Sequence, residues 1–380
     1  MRRLFPSIIA LLMVAGTLSA QTTDNKSTET TKKNREPVGV NLSLWKNMST
    51  QQTDTVGSTC FNLGLFSSMN RLNGVGINLL GSVVYRDMNG VQVTGLANLV
   101  GGSMRGVQIA GISNVNGDNL CGVSLSGLVG ITGNHAQGVI FSGLTNIVGD
   151  NASGVLIGGL LNIVGENLRG VQISGLGNIT GENMQGLQIS GLGNVVGEHF
   201  TGAQVAPFNF AGKGKGVQIG LVNYYKNSFD GFQLGLVNAN PDTKVQLMLF
   251  GGNATKLNVG ARFKNNLFYT ILGGGTHYLD FSDKFSASLF YRAGLELPLY
   301  KQLFISGDLG FQHIENFKNK DYGFPARLYA LQARVNLEYR LNDRLGVFVT
   351  GGYGGSRYYN KGVTYDKGVI VEGGVVLFKY

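Results

Sequence analysis

The sixteen residues GVQISGLGNITGENMQ, 170–185, are followed at once by GLQISGLGNVVGEHFT, 186–201. The register is strict from Gly74 and returns at Gly90, Gly106, Gly122, Gly138, Gly154, Gly170, Gly186 and Gly202. Degenerate copies precede it (CFNLGLFSSMNRLN, from Cys60) and follow it (GVQIGLVNYYKNSFD from Gly216, GFQLGLVNANPDT from Gly231). A fixed period of this kind means a stack of like units, each contacting its neighbours, and not one globular core.

Five positions of the period are apolar. Positions 2 and 4 carry pairs such as Val107 and Ile109, position 7 Ile112, position 10 Val115 and position 15 Leu120. Positions 2 and 4 alternate as a strand does. Glycine at positions 1, 6 and 12 marks bends. A membrane-spanning strand needs about 9–11 residues and aromatic girdles. The runs between glycines are shorter, and residues 90–201 hold no Tyr or Trp and, of Phe, only Phe141 and Phe200. The repeats are therefore expected to form a β-solenoid, one coil each, with Val107, Ile109, Ile112, Val115 and Leu120 turned inward. Position 9 is a column of Asn (Asn98, Asn114, Asn146, Asn162, Asn178, Asn194), broken by Gly130. Amides stacked in register can bond from coil to coil. Position 13 is often acidic (Asp118, Asp150, Glu166, Glu182, Glu198). A calcium ladder there is conceivable, but the spacing does not match the calcium-binding nonapeptide, and acids beside glycine are ordinary turn residues.

From residue 244 the pattern changes to long alternating runs. In RLYALQARVNLEYR, Tyr329, Leu331, Ala333, Val335, Leu337 and Tyr339 share one side, and Gln332, Arg334, Asn336, Glu338 and Arg340 the other. That is the pattern of a lipid-facing strand. Eight such strands are expected, near 244–252, 255–264, 266–278, 285–298, 302–315, 327–340, 344–358 and 367–380. Short and long links alternate between them. An eight-stranded barrel has room only for its own side chains. Arg262, Arg292, Arg334, Glu296, Asp308 and Glu338 are expected to fill it as a bonded plug, with Leu331, Val335 and Leu337 facing lipid. Glu372 fits this scheme poorly, since it shares a side with Phe378 and Tyr380.

The chain opens MRRLFPSIIALLMVAGTLSAQTT. A basic start, an apolar run and Leu18-Ser19-Ala20 read as a secretory signal peptide over 1–20. Residues 21–37 are polar and of mixed charge, and read as a flexible leader. The expected order is then a β-solenoid over 38–240 and an outer-membrane barrel over 241–380. Gly is 59 of 380 residues and Pro only 6, which suits tight turns and not a disordered linker. The net charge of +9 is scattered and does not point to nucleic acid.

The Gly-Val-Gln-Ile repeats, GVQISGLGNITGENMQ and GFQLGLVNA, joined to a terminal barrel, resemble bacterial outer-membrane surface-repeat proteins. The resemblance implies a place and an architecture and no settled chemistry. The residues themselves supply none: no nucleophile elbow, phosphate loop or His pair occurs. His135 and His199 stand at position 14, where Asn is usual. A loop site around Asp280, Asp283 and His277 has almost no support. Catalytic, cofactor-binding and metal residues are expected to be absent. Cys60, placed at position 3, and Cys121, at position 16, lie nearly four coils apart, too far to pair. The expected protein is a non-enzymatic outer-membrane structural or interaction protein. Its barrel anchors a rigid repeat domain on the periplasmic side, which offers ladders of Asn and Gln to an envelope partner. An autotransporter-like surface adhesin and a small porin-like channel are the alternatives.

Overall fold

A computed structural model describes residues 38–45, 48–50, 57–276, 286–317, 327–359 and 364–377. The signal peptide, the leader, Phe378, Tyr380 and the loop residues Asp280, Asp283 and His277 lie outside them. The described residues contain strands and no helix. The chain divides into two compact units, one ending at Gly202 and the other Ala203–Tyr380.

In the first unit each sixteen-residue repeat is one coil. From Met88 to Thr180 each coil supplies a seven-residue strand and a four-residue strand, as in Leu120–Ser126 with Val129–Thr132 and Leu168–Ser174 with Gly177–Thr180. Like strands of successive coils pair in parallel at a strict offset of one repeat, Gly138 with Gly122 and Gly154, Asn162 with Asn146 and Asn178. The stack begins at Val38–Trp45, which pairs in parallel with Ser58–Met69. On its other side Val38–Trp45 pairs with the short antiparallel strand Met48–Ser49. That pairing covers an edge that would otherwise template another chain. In the second unit, Phe208–Ile219, Val222–Leu234 and Val237–Ala239 continue the coil pattern with shorter steps, aligning Asn209, Asn223 and Asn238.

The side chains inside the coil differ from the sequence expectation. Of Val107, Ile109, Ile112, Val115 and Leu120, only Leu120 is buried; Ile109 and Ile112 are exposed, and Val107 and Val115 half-buried. The interior holds the other parity: position 3 (Gln108, Gln172, Gln188), position 5 (Ala110, Ser126), the Asn of position 9, position 11 (Val148, Val164) and position 15. Alternation separates two sides of a strand but does not say which one is inward. Amides that bond coil to coil can be buried without an unpaired polar group, and the apolar columns then turn outward. The Gln and Asn ladders are therefore interior, and are not offered to a partner.

The expected Asn ladder is present. Asn98 donates to Asn114 (2.9 Å), Asn146 to Asn162 (2.8 Å), Asn162 to Asn178 (2.9 Å) and Asn178 to Asn194 (3.0 Å). Gln108 donates to Gln92 (3.2 Å) and Gln188 to Gln172 (2.7 Å) beside it. The break at Gly130 has a cause. A Cβ there would stand 2.8 Å from the Ser142 hydroxyl, which itself donates to Asn146 Oδ1 (2.5 Å). In the Asn162→Leu variant, Asn178 Oδ1 and the carbonyl of Ile173, which now accepts from Asn162 (2.7 Å), each lose a donor. A loss of about 1–3 kcal/mol is expected, read as a lower urea midpoint by circular dichroism. An unchanged midpoint would show that the ladder adds nothing.

The remaining strands of the second unit close as an antiparallel barrel of eight: Lys244–Gly252, Leu257–Asn265, Phe268–Thr276, Ser286–Tyr300, Leu303–Asn316, Arg327–Asn342, Leu345–Tyr358 and Thr364–Leu377. The last pairs with the first, Val376 opposite Met248. Leu331, Val335 and Leu337 face outward as expected, as do Leu289 and Leu309. Inside, the charges share the lumen with an apolar cluster of Met248, Phe250, Tyr269, Ile271, Phe290, Phe348 and Val376. Its Phe residues carry the same strand parity as the charges, Phe290 with Arg292. Glu372 also points inward, on the side of Ile370 and Val376, while Val369 and Val371 are outside. Its side of the strand is the lumen side, which accounts for its poor fit to a lipid-facing row.

Candidate functional site

Polar side chains gather inside the barrel, and their geometry decides whether they are a site or a plug. Arg262 grips Glu338 with two nitrogens (2.6 and 3.2 Å) and donates through Nε to Gln246 (2.6 Å). Glu296 meets Arg262 (3.6 Å), Arg340 (2.5 Å) and Lys264. Glu372 lies between Arg292 and Arg334, at 3.1 Å from each. The Arg292 guanidinium also covers Phe250 and Phe290, 4.5 and 5.0 Å from the ring centres, a favourable placement for a desolvated cation. Asp308 accepts from Tyr269 (3.0 Å) and Asn336 (2.7 Å).

All six expected plug residues are thus brought together, and Glu372, Lys264 and Arg340 join them. The sequence signal for Lys264 and Arg340 was their inward parity. For Glu372 it was hidden by counting back from Phe378 and Tyr380. A void of only about 10 Å³ remains among Met248, Arg262, Tyr269, Asp308 and Phe348, room for at most one water. A general acid or base must reach a substrate proton. These groups reach one another instead, and what they do chemically is neutralise and close the lumen.

The coils carry a second polar array at the Gly-x-x turn. Asp118 accepts from Asn134 (2.7 Å) and Ser103 (3.1 Å). Beside it position 14 forms an outer ladder: Asn167 donates to Asn151 (2.7 Å) and Asn183 to Asn167 (2.6 Å). His135 and His199 take places in it, their Nδ1 atoms 3.2 Å from Asn151 Nδ2 and 3.0 Å from Asn183 Oδ1. Among the described residues no three His, Cys, Asp or Glu side chains converge as a metal centre needs. Cys60 and Cys121 are exposed and unpaired. Thr59 pairs with Leu72 and Phe61 with Val75, so Cys60 falls at positions 16 and 1 across a bulge, not at position 3. Four coil steps, through Asn73, Asn89 and Arg105, separate it from Cys121. That is about 19 Å at strand spacing, beyond disulfide reach.

Within the second unit, a groove of about 770 Å³ lies between the strand Val222–Leu234 and the outer wall of the barrel. Phe229, Phe232, Leu234, Phe268, Leu295 and Leu309 make it apolar, and the Tyr291 hydroxyl crosses it to the Gly235 carbonyl (2.8 Å). The chain is an all-β protein that joins a β-solenoid of sixteen-residue coils to a closed eight-stranded barrel. Compared with models of known protein families it matches none, and no curated protein matches it.

Proposed function

We propose that this is a non-enzymatic structural protein of a bacterial outer membrane, in which the barrel spans the bilayer and holds the repeat rod. The observation that carries the reading is the inversion of the barrel. Leu289, Leu309 and Leu331 are 69, 71 and 60 % exposed on its outer wall, while Arg262, Arg292, Arg334, Glu296, Glu338 and Glu372 are buried in its lumen. Water would favour the opposite arrangement, and a hydrocarbon surround favours this one. Aromatics towards both ends of that wall, Phe268, Tyr300 and Tyr339 at one and Phe311 and Tyr359 at the other, match the interfacial girdles of membrane barrels. Closure leaves no unpaired strand edge for lipid to meet.

The two-residue turns Lys301-Gln302 and Asp343-Arg344 lie at the end where Lys244 enters the barrel. Short turns are periplasmic in this class, which supports a rod on the periplasmic side. The packed lumen speaks against the porin-like alternative. The N-terminal run read as a signal peptide supports export, and the repeats resemble those of outer-membrane surface-repeat proteins.

Val335 stands in the middle of the outward row of its strand and is exposed. Arginine in its place, at mid-membrane, should cost about 2–4 kcal/mol. The fraction of Val335→Arg protein that resists urea extraction from outer membranes should fall, and full retention would count against lipid contact. Protease added to intact cells should leave the rod whole. Cleavage there would favour the surface-adhesin reading.

A further inference from the structure

The outer surface of the rod in the first unit is unusual for a water-bathed protein. Positions 2, 4, 7 and 10 point outward, and from Gly74 to Gly202 all of them are Val, Ile, Leu or Phe, without one charged residue. Position 7 is the most exposed, with Leu96 at 45 %, Leu176 at 46 % and Leu192 at 52 %. Every Asp, Glu, Arg and His of this stretch stands at position 13, 14 or 16 instead. The coil therefore has a charged side and, opposite it, a leucine turn flanked by two apolar faces.

The leucine turn also leaves no backbone donor open. Leu128 N–H donates to the Ile112 carbonyl (2.9 Å), Leu144 to Leu128 (2.8 Å), Leu160 to Leu144 (2.7 Å) and Leu176 to Leu160 (2.9 Å). A lipid medium requires such bonds; the turns of the charged side make them as well, Asn134 N–H to the Asp118 carbonyl (3.0 Å) and Asp150 N–H to the Asn134 carbonyl (3.0 Å).

We infer that the rod is a lipid-embedded element: its leucine turn and two apolar faces sit among the acyl chains of a bilayer leaflet, with the position 13, 14 and 16 side chains at the headgroups. Size and shape select this occupant. Eight coil steps make the stretch about 38 Å long, and its apolar surface, with position 7 throughout and most of position 4 at least a third exposed, exceeds the patches of about 300–600 Å² seen on soluble monomers. It is wrapped over two faces and a convex turn, so a partner docked on one flat side leaves the turn and the other side uncovered. A fluid phase covers all three at once. From the leucine turn to the charged side the coil is about 15 Å deep at strand rise, half of a hydrocarbon core of ~30 Å.

The inference rests on the outer-membrane reading, and one experiment separates the two. The full chain, with Cys60→Ser and Cys121→Ser, is reconstituted in phosphatidylethanolamine–phosphatidylglycerol vesicles. It carries a fluorophore at one new cysteine: Leu144→Cys or Leu176→Cys on the leucine turn, Gln137→Cys on the charged side, or Leu331→Cys on the barrel wall. Nitroxide on the acyl chains should quench the probes at 144, 176 and 331 and spare 137. Aqueous iodide should quench 137 severalfold more than the others. Iodide access at 144 and 176 with lipid quenching at 331 would overturn the inference and leave the barrel reading standing. Iodide access at all four would overturn both. Protection of 144 and 176 from both quenchers would mean a protein cover, a second copy included, and would also overturn it. Circular dichroism of each labelled chain checks that the strands have formed.

Discussion

Glu372→Ala should destabilise the barrel by about 3–5 kcal/mol, the range for removing one partner of a buried ion pair. The Glu372 side chain has no solvent exposure, and it is the carboxylate that both Arg292 and Arg334 contact at 3.1 Å. Without it two guanidinium groups remain in a lumen whose other walls are Phe250, Phe290 and Phe348. Both are buried, and the void beside Arg292 is about 10 Å³. The measurement is urea unfolding in lipid or detergent, followed by circular dichroism. A triple variant, R292M/R334M/E372L, should recover most of the loss, since apolar groups of similar volume often replace a buried ionic triad without penalty. If Glu372→Ala unfolds at the wild-type urea concentration, Glu372 is not the counter-charge that this geometry makes it.

The second large effect belongs to the rod. Gly138→Val should cost roughly 2–6 kcal/mol, from backbone strain and overpacking together. Gly138 has φ of +128°, a region closed to β-branched residues. A Cβ at that position would lie 1.9 Å from the Gly122 carbonyl oxygen of the preceding coil. That oxygen is backbone, so it can give way only if the coils separate, and each coil is held by its neighbours alone. Val139, one residue on, points outward with ordinary strand geometry, so Val139→Ala should fall within about 0.5 kcal/mol of wild type. Partial proteolysis should cut the Gly138→Val rod near this coil and leave Val139→Ala intact. Equal resistance of the two variants would sink the strain argument.

Much of the architecture was legible in the sequence because a period is a statement about geometry. A sixteen-residue return of Gly, Asn and apolar side chains has one economical solution, like residues stacked coil on coil, and the Asn98–Asn114 and Asn146–Asn194 ladders follow from it. The eight barrel strands were equally plain, because alternation over a dozen residues, as in Arg327–Asn342, suits only a strand with two different sides. The six buried charges of the barrel followed, since their sign of exposure is set by a closed lumen.

What alternation could not supply was which side of a strand meets the core. In the rod the five-position apolar column predicts an apolar interior. Only the folded coil shows that Gln108, Asn114 and Asn162 are inside and that Ile109 and Ile112 are out. The cause is not local. An amide is costly to bury alone and cheap to bury when the next coil supplies its partner, and that partner lies sixteen residues away. Glu372 makes the same point in the barrel. Nothing in GVIVEGGVV announces a buried carboxylate; Arg292 and Arg334, 80 and 38 residues distant, make it one. The sequence by itself determined the period and the strands. The assignment of inside and outside was left to tertiary structure, because it depends on hydrogen bonds and ion pairs between residues that only folding brings together.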